Sequence, residues 1–324
     1  MGTVNTVLGP IATEELGFTA IHEHIGYGMP GSELDTRWWK TPETRYQETV
    51  PKLRAFHEHA SDFGYSSSYV DATGICNGRD IDYYKSLSAK TGVQIIACTG
   101  FVGGDTALPF FERASVDYLY RQFVHEITVG IGGDTKARAG IIKVGVSRGF
   151  KMKELDLRIY RAAARAAVET GVPIFTHLAV DAEPALAVFA EEGLPLSRVM
   201  FGHMDDGVSQ GKVNETAILS GGGRLGFDTF GYDLELPDPP FWGRHKAERL
   251  EHLMGFLRDG HVGQVLAGAD ANCSPLGWPG VKGHTVNYIF ETLIPDLRAA
   301  GVTDETITQI FVTNPATFLT TAQN

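Results

Sequence analysis

Residues 18–24, with the sequence FTAIHEH, combine a β-strand pattern with two histidines that could bind a metal ion. In a regular strand Phe18, Ala20, His22 and His24 share one face, because side chains alternate with a period of two. Two imidazoles on one face can both reach a single cation. In a helix the same spacing would turn them apart. The segment therefore predicts a strand that carries two metal ligands, and a polar strand end with solvated histidines is the alternative.

Three more potential ligands end other apolar segments. His177 ends VPIFTH, His203 ends RVMFGH and Asp270 ends QVLAGAD. A single residue of this kind is usually hydrogen-bonded within the core or caps a helix or strand. Nitrogen or oxygen ligands at four strand ends, together with His-x-His, indicate a metal site.

Lys143 lies inside a further apolar segment, AGIIKVGV. An isolated ammonium group is costly to bury there, so a carboxylate partner or a stem that extends to the rim is one interpretation. The other is a neutral amine that has reacted with CO2 to form a carbamate, whose two oxygens could bridge two cations. The spacing leaves both interpretations open.

These side chains need a scaffold that brings strand ends together. Apolar, β-branched segments alternate with longer amphipathic ones. The predicted strands are 18–24, 68–72, 93–99, 140–146, 172–177, 198–203, 224–228 and 264–270. The predicted helices are 43–63, 80–91, 115–130, 153–170, 184–192, 212–220, 243–258, 284–299 and 304–311, with a last helix from Asn314. The pattern predicts an α/β fold, a (β/α)8 (TIM) barrel whose C-terminal strand ends share one face, and a doubly wound open sheet is the alternative.

Composition narrows the class of protein. The 324 residues are 43% hydrophobic and 21% charged, as in ordinary globular proteins, and suit one barrel domain over 1–324 with a short N-terminal extension. The net charge of −11 argues against nucleic-acid partners and anionic membrane surfaces. We expect no membrane span, no secretion signal and, from three separated cysteines, no disulfide framework. A cytoplasmic protein is expected.

The remaining histidines are interpreted as structural or solvated. His57 and His59 also form His-x-His, but in a predicted helix their rings diverge and we expect solvated positions. The others lie in predicted helices or loops away from strand ends: His125, His245, His252, His261 and His284. Glycines 221–223 precede the seventh strand, which favours a turn over a phosphate-binding loop.

The order and spacing of several motifs resemble the phosphotriesterase family of metal-dependent amidohydrolases. The matching segments cover most of the chain and are LGPIATEELGFTAIHEH, RAGIIKV, RAAARAA, GVPIFTH, SRVMFGHMDD and NPATFL. The resemblance implies a (β/α)8 barrel with two divalent cations, zinc being expected and cobalt, manganese or iron the alternatives. It implies that His22, His24 and Asp270 hold the more buried cation and His177 and His203 the more exposed one. Lys143, as its carbamate, would bridge both together with a hydroxide.

The resemblance also implies a reaction. The hydroxide would attack a substrate C=O or P=O, with Asp270 as the proton acceptor and Lys143 as the bridging group. We expect a lactone or carboxylic ester as substrate, with phosphotriester hydrolysis as a side activity, and a homodimer. A principal phosphotriesterase activity, a one-metal deaminase and a non-catalytic binding protein are the alternatives.

The chain departs from the lactonase branch in its substrate pocket. Val102 aligns with a usual tyrosine, and the usual Asp-Arg-Tyr-Gly reads Asp228-Thr229-Phe230-Gly231. Ala269 stands where many members have histidine. Loops 230–242 and 271–283 would overhang the site, with aromatic residues that either line an acyl or aryl pocket or pack on helices or a second subunit. The predicted pocket residues are Phe101, Val102, Thr229, Tyr232, Trp242 and Trp278.

Overall fold

An antiparallel hairpin of β1 (Thr3–Thr6) and β2 (Gly9–Ala12) precedes a sheet of eight parallel strands. The computed structural model describes residues 2–37, 39–149, 151–177, 182–206, 215–232, 244–277 and 284–321. The parallel strands are β3 (Phe18–Glu23), β4 (Ser67–Asp71), β5 (Gln94–Gly100), β6 (Ile141–Val144), β7 (Ile174–Thr176), β8 (Val199–Phe201), β9 (Arg224–Phe227) and β10 (Val265–Ala267). Each pairs with the next along the chain, as sequential β/α units require.

The two edges of this sheet meet beyond the end of β10. The Asp270 amide donates to the His22 carbonyl at 3.0 Å, and the His24 amide donates to the Ala271 carbonyl at 2.7 Å. The Cys273 amide then donates to the His24 carbonyl at 2.9 Å. These bonds complete a nearly closed barrel, so the predicted (β/α)8 fold is confirmed and the open sheet is excluded.

Helices connect the strands and cover the barrel. They are α1 (Pro42–Asp62), α2 (Ile81–Thr91), α3 (Pro109–Glu112), α4 (Val116–Thr128), α5 (Glu154–Thr170), α6 (Ala182–Glu191), α7 (Glu215–Ser220), α8 (Lys246–Arg258), α9 (Ile294–Ala299), α10 (Asp304–Thr308) and α11 (Asn314–Leu319). Two π-helical segments, Ile289–Leu293 and Gln309–Thr313, lead directly into α9 and α11. Among the described residues, no helix has both the length and the apolar character needed to cross a membrane.

Local capping explains why several helix boundaries were predictable. The Asp80 side chain accepts a hydrogen bond from the Tyr83 amide at the start of α2, and Ser115 does the same for Tyr118 at the start of α4. The alanine-rich α5 ends at Gly171, which has a φ of 73° that favours glycine.

Other boundaries differ from the predictions. The predicted helix 284–299 begins several residues later, because His284 and Asn287 instead hydrogen-bond to backbone carbonyls of Ala269 and Lys52. The hairpin β1–β2 and the short helix α3 were not predicted. Helices α7 and α8 lie within the predicted helices 212–220 and 243–258. The first residues of both predicted helices lie outside the described part of the chain.

The core has two layers. Side chains such as Ile21, Ile141, Phe175 and Met200 form a cluster inside the barrel. Phe318 stacks on Phe175 within that cluster, with ring centroids 5.6 Å apart. A larger cluster lies between the sheet and the surrounding helices. Lys143 follows Ile141 by two residues on β6, so strand alternation turns its side chain toward the barrel interior.

Strand β3 does not keep one face along its length. Phe18 and Ala20 belong to the outer cluster, whereas Ile21 belongs to the inner one. Between Ala20 and Glu23, β3 advances by three residues while β4 advances by two, which is a β-bulge. The prediction that Phe18, Ala20 and the histidines share one face is therefore wrong, since the bulge turns His22 inward.

Candidate metal centre

His22, His24 and Asp270 meet where β3 approaches the segment after β10. Oδ1 of Asp270 lies 2.9 Å from His24 Nε2 and 3.8 Å from His22 Nε2. This oxygen is buried, and within the described chain it has no hydrogen-bond partner. Two donors of a tetrahedral zinc site are about 3.3 Å apart, since Zn–N and Zn–O bonds are about 2.0 Å. Unpartnered Oδ1 and two imidazole nitrogens thus fit a divalent cation.

Lys143 lies beside these ligands on β6. Its side chain is fully buried, and Nζ lies 2.6 Å from His22 Nε2. The interpretation in which the stem reaches the rim is therefore wrong. Burial lowers the Lys143 pKa to about 8, although Asp270 and Asp228 oppose the shift. A neutral amine is accordingly accessible near neutral pH.

His203 and His177 form a second pair of donors after β8 and β7. Their nearest nitrogens, His203 Nε2 and His177 Nδ1, are 3.0 Å apart. Burial and the charge of His203 lower the His177 pKa well below its ordinary value. Burial alone would lower the His203 pKa, but Asp228 outweighs it and raises that pKa to about 9. His203 Nε2 and His177 Nδ1 thus face each other and offer two nitrogens to one cation.

Asp228, directly after β9, connects the two groups. Its Oδ2 accepts from His22 Nδ1 at 2.5 Å and its Oδ1 accepts from His203 Nδ1 at 2.8 Å. Burial would raise the Asp228 pKa, but attraction to the two histidines and their hydrogen bonds lower it far below its ordinary value. Sequence reasoning missed this residue, although it ends a predicted strand as the other ligands do.

Asp270 is held by Glu23, the residue between the two histidines of β3. The Glu23 carboxylate accepts from the amides of Ala269 at 2.9 Å and Ala271 at 2.7 Å, one on each side of Asp270. Asp270 has a φ of 49°, which is costly for a residue with a side chain. The two bonds stabilise this turn and aim Asp270 at the histidines. Sequence reasoning missed the role of Glu23 as well.

Tyr232 and His284 lie on the other side of Asp270. The Tyr232 hydroxyl donates to Asp270 Oδ2 at 3.0 Å, and its ring contacts the His284 ring. His284 Nε2–H donates to the Ala269 carbonyl at 2.6 Å. The prediction that His284 is remote from strand ends is wrong, because the segment before the Ile289–Leu293 π-helix lies against the end of β10.

Sequence and structure comparisons agree on the family of this chain. The sequence model of the Phosphotriesterase family matches residues 2–319. The chain belongs to the phosphotriesterase family.

This phosphotriesterase-family chain is a hydrolase that acts on ester bonds, as are relatives named aryldialkylphosphatase and PTE-like lactonase. An aryldialkylphosphatase of Saccharolobus solfataricus is 29% identical and aligns over 95% of this chain and 96% of its own length. The organophosphorus hydrolase of Deinococcus radiodurans has a TM-score of 0.86 and 30% identity, covering 98% of this chain and 96% of that one. A PTE-like lactonase mutant from the same organism has the same TM-score and identity, with 98% and 100% coverage.

Two predicted pocket residues of this family member contact other buried side chains. Phe101 is fully buried, and its ring packs on Phe111 and Phe123. The Thr229 hydroxyl accepts a hydrogen bond from the buried Arg249 guanidinium. Both side chains therefore make contacts inside the protein, and their place in the substrate pocket stays a prediction.

The other four pocket residues also stay predictions. Val102 is buried, with 4% of its surface exposed. Trp242 and Trp278 lie outside the described residues, as do most of loop 230–242 and the second half of loop 271–283. Tyr232 lies at the site through its bond to Asp270.

The second His-x-His pair lies on α1, away from the metal centre. His59 stacks on Phe290, with ring centroids 5.2 Å apart. His57 Nδ1 lies 2.8 Å from Ser67 Oγ and the ring is half-buried, so the expectation of a fully solvated position is wrong for His57. The glycines before β9 form the predicted turn, with Gly222 at a φ of 80°.

Proposed function

We propose that this protein is a binuclear metal-dependent hydrolase that acts on a lactone or another carboxylic ester. The observation that carries the proposal is the convergence of donors from widely separated strands on one end of the barrel. Lys143 Nζ is 2.6 Å from His22, Asp270 Oδ1 is 2.9 Å from His24, and the His177–His203 nitrogens are 3.0 Å apart. Nitrogen and carboxylate donors of this kind suit zinc.

Five of the six residues form two ligand groups. His22, His24 and Asp270 would hold the more buried cation, and His177 and His203 the second. Bound divalent cations polarise a substrate C=O or P=O and lower the pKa of water enough to supply hydroxide near neutral pH.

Lys143 would link the two groups as its carbamate. The amine must be neutral to react with CO2, and burial lowers its pKa to about 8. The product is an anion with two oxygens, which compensates two cations in a site where an ammonium group would repel them.

Asp270 would accept the proton released during attack. Burial alone would raise its pKa, but His24, His203 and His22 hold the pKa well below its ordinary value, so the carboxylate is ionised at neutral pH. Oδ2 carries the Tyr232 hydrogen bond at 3.0 Å, which orients the carboxylate and leaves Oδ1 toward the histidines. The proton would then pass from Asp270 to solvent.

A second candidate function, organophosphate hydrolysis, is favoured by the relative named aryldialkylphosphatase. Bulk metal analysis and a panel of lactones, aryl carboxylic esters and aryl dialkyl phosphates on the same metal-replete sample separate the two. We expect about two metal equivalents per chain and the highest kcat/KM on a lactone or ester. Much faster triester turnover would select the second candidate, and metal-free, inactive protein would contradict both.

We also propose a homodimer in the cytoplasm, without nucleic-acid or membrane partners. The net charge of −11 supports the absence of nucleic-acid and membrane partners because it repels polyanions and anionic lipid surfaces. Light scattering after size exclusion would give a mass of two chains, and a mass of one chain would contradict the dimer.

A further inference from the structure

The geometry points to Asp228 as a positioning residue that orients one ligand of each proposed metal ion. The inference rests on the proposed binuclear function and names a residue outside its six ligands. Asp228 is fully buried, with Oδ2 2.5 Å from His22 Nδ1 and Oδ1 2.8 Å from His203 Nδ1. His22 belongs to the more buried ligand group and His203 to the more exposed one, so a single carboxylate contacts both groups.

The distances identify these contacts as hydrogen bonds. Each joins an imidazole Nδ1 to one oxygen of the buried carboxylate. The 2.8 Å contact lies in the range of charge-assisted bonds to a carboxylate, and the 2.5 Å contact is shorter still. The other nitrogens of the same rings face the site, since His22 Nε2 contacts Lys143 and His203 Nε2 contacts His177. Asp228 therefore contacts the edge of each ring that faces away from the proposed cations.

This arrangement decides the tautomer of each imidazole. A carboxylate only accepts hydrogen bonds, so both Nδ1 atoms carry protons. Each Nε2 then has a lone pair available for a cation, as in the carboxylate–histidine pairs that orient metal ligands. The two rings are nearly parallel, with centroids 5.0 Å apart and an interplanar angle of 15°. Asp228 thereby fixes both rings in one shared orientation.

The surrounding chain is built to hold this carboxylate. Oδ1 also accepts from the His203 amide at 2.7 Å, where His203 has a φ of 57°. The Asp228 amide donates to Asp205 at 3.1 Å. A Cβ atom at Gly226 would lie 2.9 Å from Asp228 Oδ2, and one at Gly202 would lie 3.2 Å from it. Glycine at both positions leaves room for the carboxylate.

The buried Arg249 of α8 contacts Asp205, which in turn holds the Asp228 backbone. Its Nη1 lies 3.3 Å from Asp205 Oδ2, and the same carboxylate accepts from the Thr229 amide. Asp205 in turn accepts from the Asp228 amide. The Asp228 backbone is thus held by Asp205, whose carboxylate contacts Arg249.

Asp228→Asn tests the inference because asparagine keeps the shape and changes the hydrogen bonding. Its amide offers one oxygen and one NH2 group, so it accepts from only one Nδ1–H. The other imidazole must move its proton to Nε2, the nitrogen needed by the cation. The bond that remains is also weaker, because a neutral amide oxygen replaces a charged carboxylate oxygen. We therefore expect both cations to bind at least tenfold more weakly, as for other partners of metal-bound histidines. The cobalt-loaded variant would also show an altered visible d–d spectrum.

Asp156→Asn is the matched control. Asp156 is equally buried, but it accepts from the Gly104 amide and from Ser147 and contacts none of the six proposed ligands. Dissociation constants for zinc and cobalt come from competition with a chromophoric chelator, with the bound metal counted by mass spectrometry. The control should keep wild-type constants within about twofold, since the effect of ligand-orienting partners is larger.

The outcomes separate the inference from the proposed function. Wild-type protein that binds no metal overturns both. Wild-type protein with two metals and Asp228→Asn with unchanged affinities overturns the inference alone. Imidazole 1H–15N NMR of zinc-loaded wild-type protein gives a second readout that does not depend on the folding of a variant. We expect His22 and His203 to be protonated at Nδ1, and protons at Nε2 would overturn the inference.

Discussion

A single lysine shows how burial can change the chemistry of a side chain. Lys143 has no exposed surface and lies 2.6 Å from a histidine nitrogen. Burial lowers the pKa of its amine from 10.5 to about 8. An amine that is partly neutral in a cavity of anionic and imidazole ligands is suited to become a carbamate.

Replacement of this lysine tests its bridging role. Lys143→Ala removes the anion proposed to link both cations, so we expect kcat/KM to fall at least 100-fold, by about 3 kcal/mol in the barrier. Short carboxylic acids such as propionate should restore part of the activity by supplying the missing anion. Lys151→Ala, at an exposed position, is the control. Wild-type activity of Lys143→Ala without additives would refute the bridge.

The pKa of Lys143 also predicts how reconstitution depends on pH. A lowered pKa means that the neutral amine dominates above about pH 8, and below that value its fraction falls about tenfold per pH unit. At fixed dissolved CO2 and excess zinc, the rate at which chelated enzyme recovers activity should rise up to about pH 8 and then level. A rate that still rises tenfold per unit between pH 8.5 and 9.5 would indicate an ordinary lysine.

At the scale of elements, the strand ends need irregular backbone to aim their side chains. A bulge in β3 turns His22 inward, and His203 and Asp270 take left-handed conformations with φ values of 57° and 49°. Such backbone costs about 1–3 kcal/mol per residue. Hydrogen bonds from the His203 amide to Asp228 and from the amides around Asp270 to Glu23 offset that cost.

Glu23→Gln should selectively weaken the more buried metal site. The glutamine NH2 group would face one of the amides of Ala269 and Ala271 and lose that bond, so the Asp270 turn would relax. We expect one metal equivalent to bind at least tenfold more weakly while the other is little changed, as chelator titration would show. Two equivalents bound as in wild type would contradict the role of Glu23. Equal loss of both equivalents would instead resemble the effect expected for Asp228→Asn.

At the scale of the whole molecule, the metal centre connects distant parts of the barrel. The proposed ligands follow or lie on β3, β6, β7, β8 and β10, so bound cations would cross-link five of the eight strands. Ligands that bind only the folded state stabilise it in proportion to the logarithm of their concentration.

Metal removal should therefore lower thermal stability. At a free zinc concentration a thousandfold above Kd, each site adds about 4 kcal/mol to the free energy of unfolding. Differential scanning fluorimetry with a chelator and with graded zinc should show a Tm that rises with the logarithm of the metal concentration. His57→Ala is the control: it should lower Tm through the lost Ser67 contact but keep the same zinc dependence and metal content. A Tm independent of zinc would contradict the centre.

The periodicity of the strands and the residues at their ends were enough to predict the barrel and to group most of the proposed ligands. Parallel strands of a closed barrel must bring their C-terminal ends to one face. The sequence alone was therefore enough to group His24, His177, His203 and Asp270. Caps such as Asp80 and Ser115 made helix starts predictable, because those hydrogen bonds form within four residues of chain.

Only the tertiary structure decided which groups touch. The bulge in β3 depends on its pairing with β4, so no local period could reveal that Phe18 and Ala20 face outward. Asp228 meets His22 across 206 residues of sequence, and Glu23 meets Ala269 across 246. Local patterns place a residue at a strand end or a helix cap, whereas the direction and the partner of its side chain depend on strand pairing and on where the barrel closes.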